Sequence, residues 1–354
     1  MALNETLVLA GFLVLIVLML MIDIGVFHKK DHEVGYKEAL TWTAIWVSLA
    51  LATGVFIYFF GGLIHNVNDL NEVLEKANEY GHPILKQLGE GVSNEDALHI
   101  YQRNLALEYF TGYVIEYSLS IDNIFVIVLI FFSFNVEKKY YHRVLFWGII
   151  GAIVMRFLFI FLSASLIQRF DWVLVIFGAF LVFTGTKMFL ERNKEKKIDK
   201  EHHPVLRLTS RFFRVDSDYK GHNFFIRKNG KLYMTTLFIV LLVVEFSDVI
   251  FAVDSVPAIF SITKDPYIVF FSNIFAIIGL RSLFFLLINV LDKFRYLHIG
   301  LSILLVFVGV KMILPFLNFL GNPHISTLNS LVIIISIIGG SILASLLIPA
   351  KKNI

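Results

Sequence analysis

The run Glu245-Phe246-Ser247-Asp248-Val249-Ile250-Phe251-Ala252-Val253-Asp254-Ser255-Val256-Pro257 sets three acids inside an apolar stretch long enough to cross a bilayer. A second run, Ile115-Glu116-Tyr117-Ser118-Leu119-Ser120-Ile121-Asp122-Asn123, repeats its pattern: two acids six apart, the second followed by a small polar residue. An acid at the centre of a membrane helix costs about 2.5–3.5 kcal/mol on insertion scales. Glu116, Asp122, Glu245, Asp248 and Asp254 therefore need a compensating role, and a cation pathway supplies one.

Around these motifs the composition is that of a membrane protein: 57% apolar residues, 36 Phe, 17% charged residues and a mean hydropathy of +0.74. Apolar runs long enough to span lie near residues 6–27, 39–62, 104–133, 144–166, 172–190, 234–261, 267–291, 297–317 and 328–349. The fold class expected is all-α and polytopic, with about nine transmembrane helices. Lys and Arg fix the orientation, because cytoplasmic loops carry the positive excess. With the N-terminus outside, the segments 28–38, 134–143, 191–233, 292–296 and 350–354 are cytoplasmic and hold 22 of the 31 basic residues, against five outside. The net charge of +3 is this bias, so no nucleic-acid partner is expected. The first span lacks a basic leader and an A-x-A site and is expected to stay as a helix. The protein is thus placed in the cell membrane as a multi-pass chain, C-terminus in the cytoplasm.

Leu181 to Leu190 (LVFTGTKMFL) and Leu305 to Leu314 (LVFVGVKMIL) agree at seven of ten positions. Arg156 lies 31 residues before Lys187, and Arg281 lies 30 before Lys311. Helices 3–5 and 6–8 are therefore two copies of one unit, and three spans per copy inverts the second. Inverted repeats around a midplane site are an architecture of secondary transporters. The organisation read from the chain is residues 1–62, a two-helix segment; 63–103, an acidic external loop; 104–190, the first repeat; 191–233, a basic cytoplasmic loop; 234–317, the second repeat; and 318–354, a last helix and basic tail. Short amphipathic helices are expected over Asp69 to Tyr80 and after Ser93, the latter capped near Asp96. Asn229-Gly230 between alternating residues predicts a hairpin within Phe224 to Met234. His202, His203, His222, Asp216 and Asp218 in the same loop read as solvated rather than as a metal sensor.

On a straight helix six residues turn about 600°, setting Glu116 and Asp122 roughly 120° apart. They share one site more easily if the helix breaks, and Pro257, which frees the Val253 carbonyl, predicts a break in the second copy. The expected ion ligands are Glu116, Asp122, Asn123, Glu245, Asp248, Asp254 and Ser255, an all-oxygen set that suits Mg²⁺, Ca²⁺ or Mn²⁺ rather than copper or zinc. Arg156, Arg281 or protons would neutralise the empty acids. Asp23 is a candidate second site, Glu108 a mouth residue, and Lys187 and Lys311 read as reaching to the interface. The chain has no cysteine, which argues against a redox role, and no G-x-x-x-x-G-K-[ST], which leaves no nucleotide drive of that type. The Gly-x-Gly-Asp signature of intramembrane aspartyl proteases is absent, so no enzyme is expected, and no resident cofactor.

With these residues in view the chain resembles the TerC family of membrane proteins, in its Alx-like branch. The likeness rests on Asp23-Ile24-Gly25-Val26-Phe27-His28 with Glu38-Ala39-Leu40-Thr41-Trp42, on Glu116 through Asn123, and on Glu245 through Phe260. It implies manganese export from the cytoplasm, with Glu116, Asp122, Glu245, Asp248 and Asp254 as ion-binding residues. Proton exchange is the coupling expected, and the bilayer, Mn²⁺ and protons are the partners. A Ca²⁺/H⁺ exchanger and a membrane scaffold that assists metallation of other proteins are the alternatives.

Overall fold

The computed structural model describes residues 3–27, 35–89, 91–170, 172–191, 215–216, 223–228, 231–288, 296–316 and 325–348. Among the described residues twelve α-helices and a small sheet follow one another: α1 (Leu3–Phe27), α2 (Tyr36–Phe60), α3 (Gly62–His65), α4 (Leu70–Glu79), α5 (Asn94–Ser133), α6 (Tyr141–Arg169), α7 (Trp172–Leu190), β1 (Val215–Asp216), β2 (Phe225–Lys228), β3 (Lys231–Thr235), α8 (Thr236–Phe260), α9 (Pro266–Ile278), α10 (Leu280–Leu287), α11 (Leu297–Ile313) and α12 (Thr327–Leu347). Among the described residues eight helices are long and apolar enough to cross a membrane, and α9 with α10, bent by 41°, makes a ninth segment. They match the nine expected spans when the bent pair is counted as one.

Helix starts are set by short polar side chains that take up free backbone N–H groups, each worth about 1 kcal/mol. Asp69 accepts from the Glu72 N–H at 2.9 Å to open α4, as its sequence predicts. Ser93 likewise accepts from Asp96 N–H at 3.1 Å. That cap opens no separate short helix, however. α5 runs on unbroken for 40 residues into the membrane, because no Gly or Pro follows to stop it before Gly112.

The expected break at the acid motifs is also displaced. α8 continues through Pro257, which sits in its last turn, where little ladder remains to interrupt. The discontinuity falls at Gly279, between α9 and α10, in the helix that follows the second motif. The predicted hairpin forms as β2 and β3, antiparallel with Lys228 opposite Lys231. Its Asn229-Gly230 turn, and the histidines at 202, 203 and 222 with Asp218, lie outside the described residues. β1 adds to β3 in parallel, a pairing that nothing local in the sequence announces.

Packing between the two copies follows an exchange rule. α5 of the first copy packs on α9 of the second, and α6 of the first on α8 of the second. α7 and α11 make the most extensive helix pair among the described residues. They run antiparallel, with Gly178 against the Gly309 carbonyl and Gly185 against the Ser302 carbonyl. In the sequence match Gly185 corresponds to Gly309 and Gly178 to Ser302, so exchanging the copies maps one contact onto the other. A self-complementary contact of this kind is what a two-fold axis between the copies produces. A Cβ at Gly178 would lie 2.7 Å from the Gly309 oxygen, so neither position has room for a side chain.

Candidate functional site

Glu116 on α5 is fully buried, and its Oε1 is paired with Nη1 of Arg156 from α6, also buried. The same guanidinium reaches α8, donating from Nη2 to Asp248 Oδ1 at 3.2 Å and from Nε to Oδ2 at 3.5 Å. Its Nη1 also stands 3.4 Å from Ser255 Oγ. Asn273 on α9 donates from Nδ2 to the other Glu116 oxygen at 3.0 Å. Arg156 thus bridges the first acid of each motif, equivalent positions in the two copies. Holding a buried Glu116 and a partly buried Asp248 on one arginine makes the arrangement depend on the partner, since removing the guanidinium strands a charge. Glu245 lies beside this layer. Its carboxylate is seated against Gly151 of α6, where any Cβ would collide with it.

The second acid of each motif goes elsewhere. Asp122 and Asp254 line a cavity of about 190 Å³, together with Asn123 and Ser255. Oδ1 of Asp254 is buried and makes no hydrogen bond among the described residues. Thr184, Lys187 and Glu191 from the end of α7, and His298 from the start of α11, complete the polar lining. The 120° between acids six apart is therefore kept rather than relieved: with no break in either helix, the acids divide into two pairs, each with one member per copy. Ser255 belongs to both. Among the described residues no three acids or histidines are gathered closely enough to hold one ion.

Several sequence expectations shift with these coordinates. Lys187, read as reaching away to the interface, lines the acid cavity. Arg281 is buried on α10, beyond the break. Asp23 belongs to α1, and its side chain lies outside the described residues. Glu108, expected at a solvated mouth, is buried, accepting from Asn104 Nδ2 at 2.7 Å and facing His82 Nδ1 at 2.9 Å.

Above that pair lies a network the sequence reading missed. His65 ends α3 with Nδ1 3.1 Å from Glu5 Oε1 of α1 and Nε2 2.9 Å from Asp265 Oδ2. A carboxylate only accepts, so both ring nitrogens must carry hydrogen and the ring is an imidazolium. Burial opposes that charge, but Asp265 and then Glu5 outweigh it and push the His65 pKa up to about 9. Burial would raise Asp265, and the charge and hydrogen bond of His65 hold it below the usual range instead. Lys76 Nζ also donates to Glu5 Oε1 at 2.9 Å. Asp265 in turn caps α9, accepting from Tyr267 N–H at 2.9 Å. The imidazolium therefore clamps the first span to the broken one. The available signal was the pair of polar residues at helix ends, His65 and Asp265, which are 200 residues apart.

The comparisons with known proteins agree with this architecture. A family model described as "Integral membrane protein TerC family" matches residues 101–353. An uncharacterized membrane protein of Myxococcus xanthus is 43% identical over 338 residues, 96% of this chain and 91% of that protein. A protein of Escherichia coli strain K12, named as a candidate membrane-bound redox modulator, Alx, is 40% identical over 305 residues, 86% of this chain and 84% of that protein. A Salmonella typhi protein of the same name matches equally, at 40% over 305 residues, with the same shares of 86% and 84%. No solved structure matches the chain.

Proposed function

The chain belongs to the TerC family of integral membrane proteins, and from that premise we propose that it is a secondary transporter exporting divalent manganese from the cytoplasm in exchange for protons. The observation that carries the reading is the bridged pair Glu116–Arg156–Asp248 stacked beside the cavity of Asp122 and Asp254. Each pair draws one acid from each copy, as a pathway along the axis between inverted repeats requires.

An ion reaching the cavity meets Asp122, Asn123, Asp254 and Ser255, oxygen donors suited to a hard divalent cation that keeps part of its water. Glu191 and His298 of the lining border the loops at 191–233 and 292–296, which the basic-residue count puts in the cytoplasm. Beyond Ser255, Arg156 occupies the inner acids and serves as their counter-ion when no metal is there. The choice of manganese among hard ions rests on the likeness to the TerC family, and Ca²⁺ is the competing substrate. Moving two charges outward against an inside-negative potential costs about 4.6 kcal/mol per 100 mV, so proton influx is the coupled source. The relatives named Alx carry a redox description, but this chain has no cysteine to supply a thiol couple.

The test is transport by the purified protein in liposomes, with Mn²⁺, Ca²⁺, Mg²⁺ and Zn²⁺ compared and a pH dye inside. Mn²⁺ flux with opposite proton movement, abolished in Asp254→Asn and Asp122→Asn, is the expected result. Vesicles that pass no metal would leave the scaffold reading in its place, and full flux without a pH signal would make the protein a uniporter.

A further inference from the structure

We infer that Asn273, which none of the sequence motifs singled out, is an ion-ligating residue of the inner site, contributed by the broken span. The inference rests on the transporter reading and adds a neutral oxygen donor to it. Asn273 lies on α9, fully buried, six residues before the break at Gly279. Its Nδ2 bonds Glu116 Oε2 at 3.0 Å. Because a carboxylate only accepts, that contact fixes which end of the amide faces it. The carbonyl end, Oδ1, is therefore left over, and it is buried with no hydrogen-bond partner among the described residues. Leaving a buried carbonyl unpaired costs about 1–3 kcal/mol, and a residue needed only to brace Glu116 could avoid that with a hydroxyl. The amide's two ends share one carbon, so Oδ1 lies within a few ångströms of the carboxylate that Arg156 neutralises, about 2.3 Å from the nitrogen bonded to it.

The backbone supports the same assignment. At Gly112, one turn before Glu116, α5 and α9 are close together: a Cβ there would lie 2.8 Å from Ser272 Oγ. The small residue brings the Asn273 helix against the Glu116 helix at the depth of the inner acids. Helices interrupted within the membrane are where polar groups line a site. When a divalent ion displaces the Arg156 guanidinium, Glu116 and Asp248 supply charged oxygens and Asn273 Oδ1 a neutral one, the mixed set a hard cation takes.

Mn²⁺ binding to the purified full-length protein in detergent, by calorimetry, decides the matter. The variants are Asn273→Ala and Asn273→Asp, with Mg²⁺ as a second probe. Asn273→Ala should weaken Mn²⁺ binding by at least about tenfold and change the Mn²⁺-to-Mg²⁺ ratio. Asn273→Asp, which keeps an oxygen but loses the donor to Glu116, should bind Mn²⁺ as tightly as the parent. If Asn273→Asp is as weak as Asn273→Ala, the residue only positions Glu116 and the inference fails. Unchanged binding in Asn273→Ala overturns it equally. Should Asn273→Ala not fold, the aspartate variant alone decides. A parent protein that binds neither ion refutes the transporter reading itself, an outcome distinct from these.

Discussion

Replacing His65 by Gln should remove a pH-dependent share of the protein's stability, because the imidazolium joining Glu5 and Asp265 has no substitute. His65 has a pKa of about 9 in place, against 6.5 unperturbed. At 1.36 kcal/mol per unit the bound proton is worth about 3 kcal/mol. The folded pKa is the raised one, so this contribution is complete below pH 6.5, declines through the window above it, and is gone above about pH 9. Lys76, Tyr80 and Tyr267 also face the cluster. The comparison is therefore between parent and His65→Gln at each pH, which cancels their effect. For a chain of 354 residues, 3 kcal/mol corresponds to roughly 4 °C in Tm. Melting of the detergent-solubilised protein should show that gap near pH 6 and its closure by pH 9.5. Parallel curves for the two proteins across this range would refute the imidazolium clamp.

Three further outcomes follow from the same coordinates. Arg156→Ala strands Glu116 in the interior and leaves Asp248 unpaired beside it, and should cost about 3–5 kcal/mol in melting experiments, with part of the loss restored by adding Glu116→Gln. Gly178→Leu and Gly309→Leu should each lower stability by about 1–3 kcal/mol or more, since a side chain at either site meets the opposing backbone; equal melting would disprove the close crossing. A cysteine at Asn78 should react with an impermeant reagent from outside intact cells and one at Lys139 should not, and the reverse would invert the direction of transport.

What the sequence reveals of this molecule follows the range of the forces involved. Spans are legible because hydrophobicity accumulates along a continuous segment, and caps at Asp69 and Ser93 because a side chain meets a backbone N–H three residues on. The repeat was visible in LVFTGTKMFL against LVFVGVKMIL, though its consequence, glycines meeting across α7 and α11, needed three dimensions. Both motifs were found, yet their division into two layers depended on α5 and α8 staying unbroken. Pro257 misled because its effect depends on how many turns follow it, and here almost none do. Asn273 and His65 escaped notice because their partners lie 157 and 200 residues away, and no periodicity marks such a pairing.

The length of α5 has a mechanical meaning. Its 40 residues extend about 60 Å, twice the roughly 30 Å of hydrocarbon they cross. One unbroken helix thus carries Glu108 beside His82, Glu116 beside Asn273, and Asp122 in the cavity. It has no joint at which one of these could move without the others. A tilt that opens or shuts the inner cavity acts as a lever: pivoted at the Gly112 crossing, a swing of about 10° carries the Ser93 end sideways by roughly 5 Å. The Ser93 cap is then a pointer whose displacement reads out events at the buried acids, and a spectroscopic label on Asn94 can follow them without touching the site.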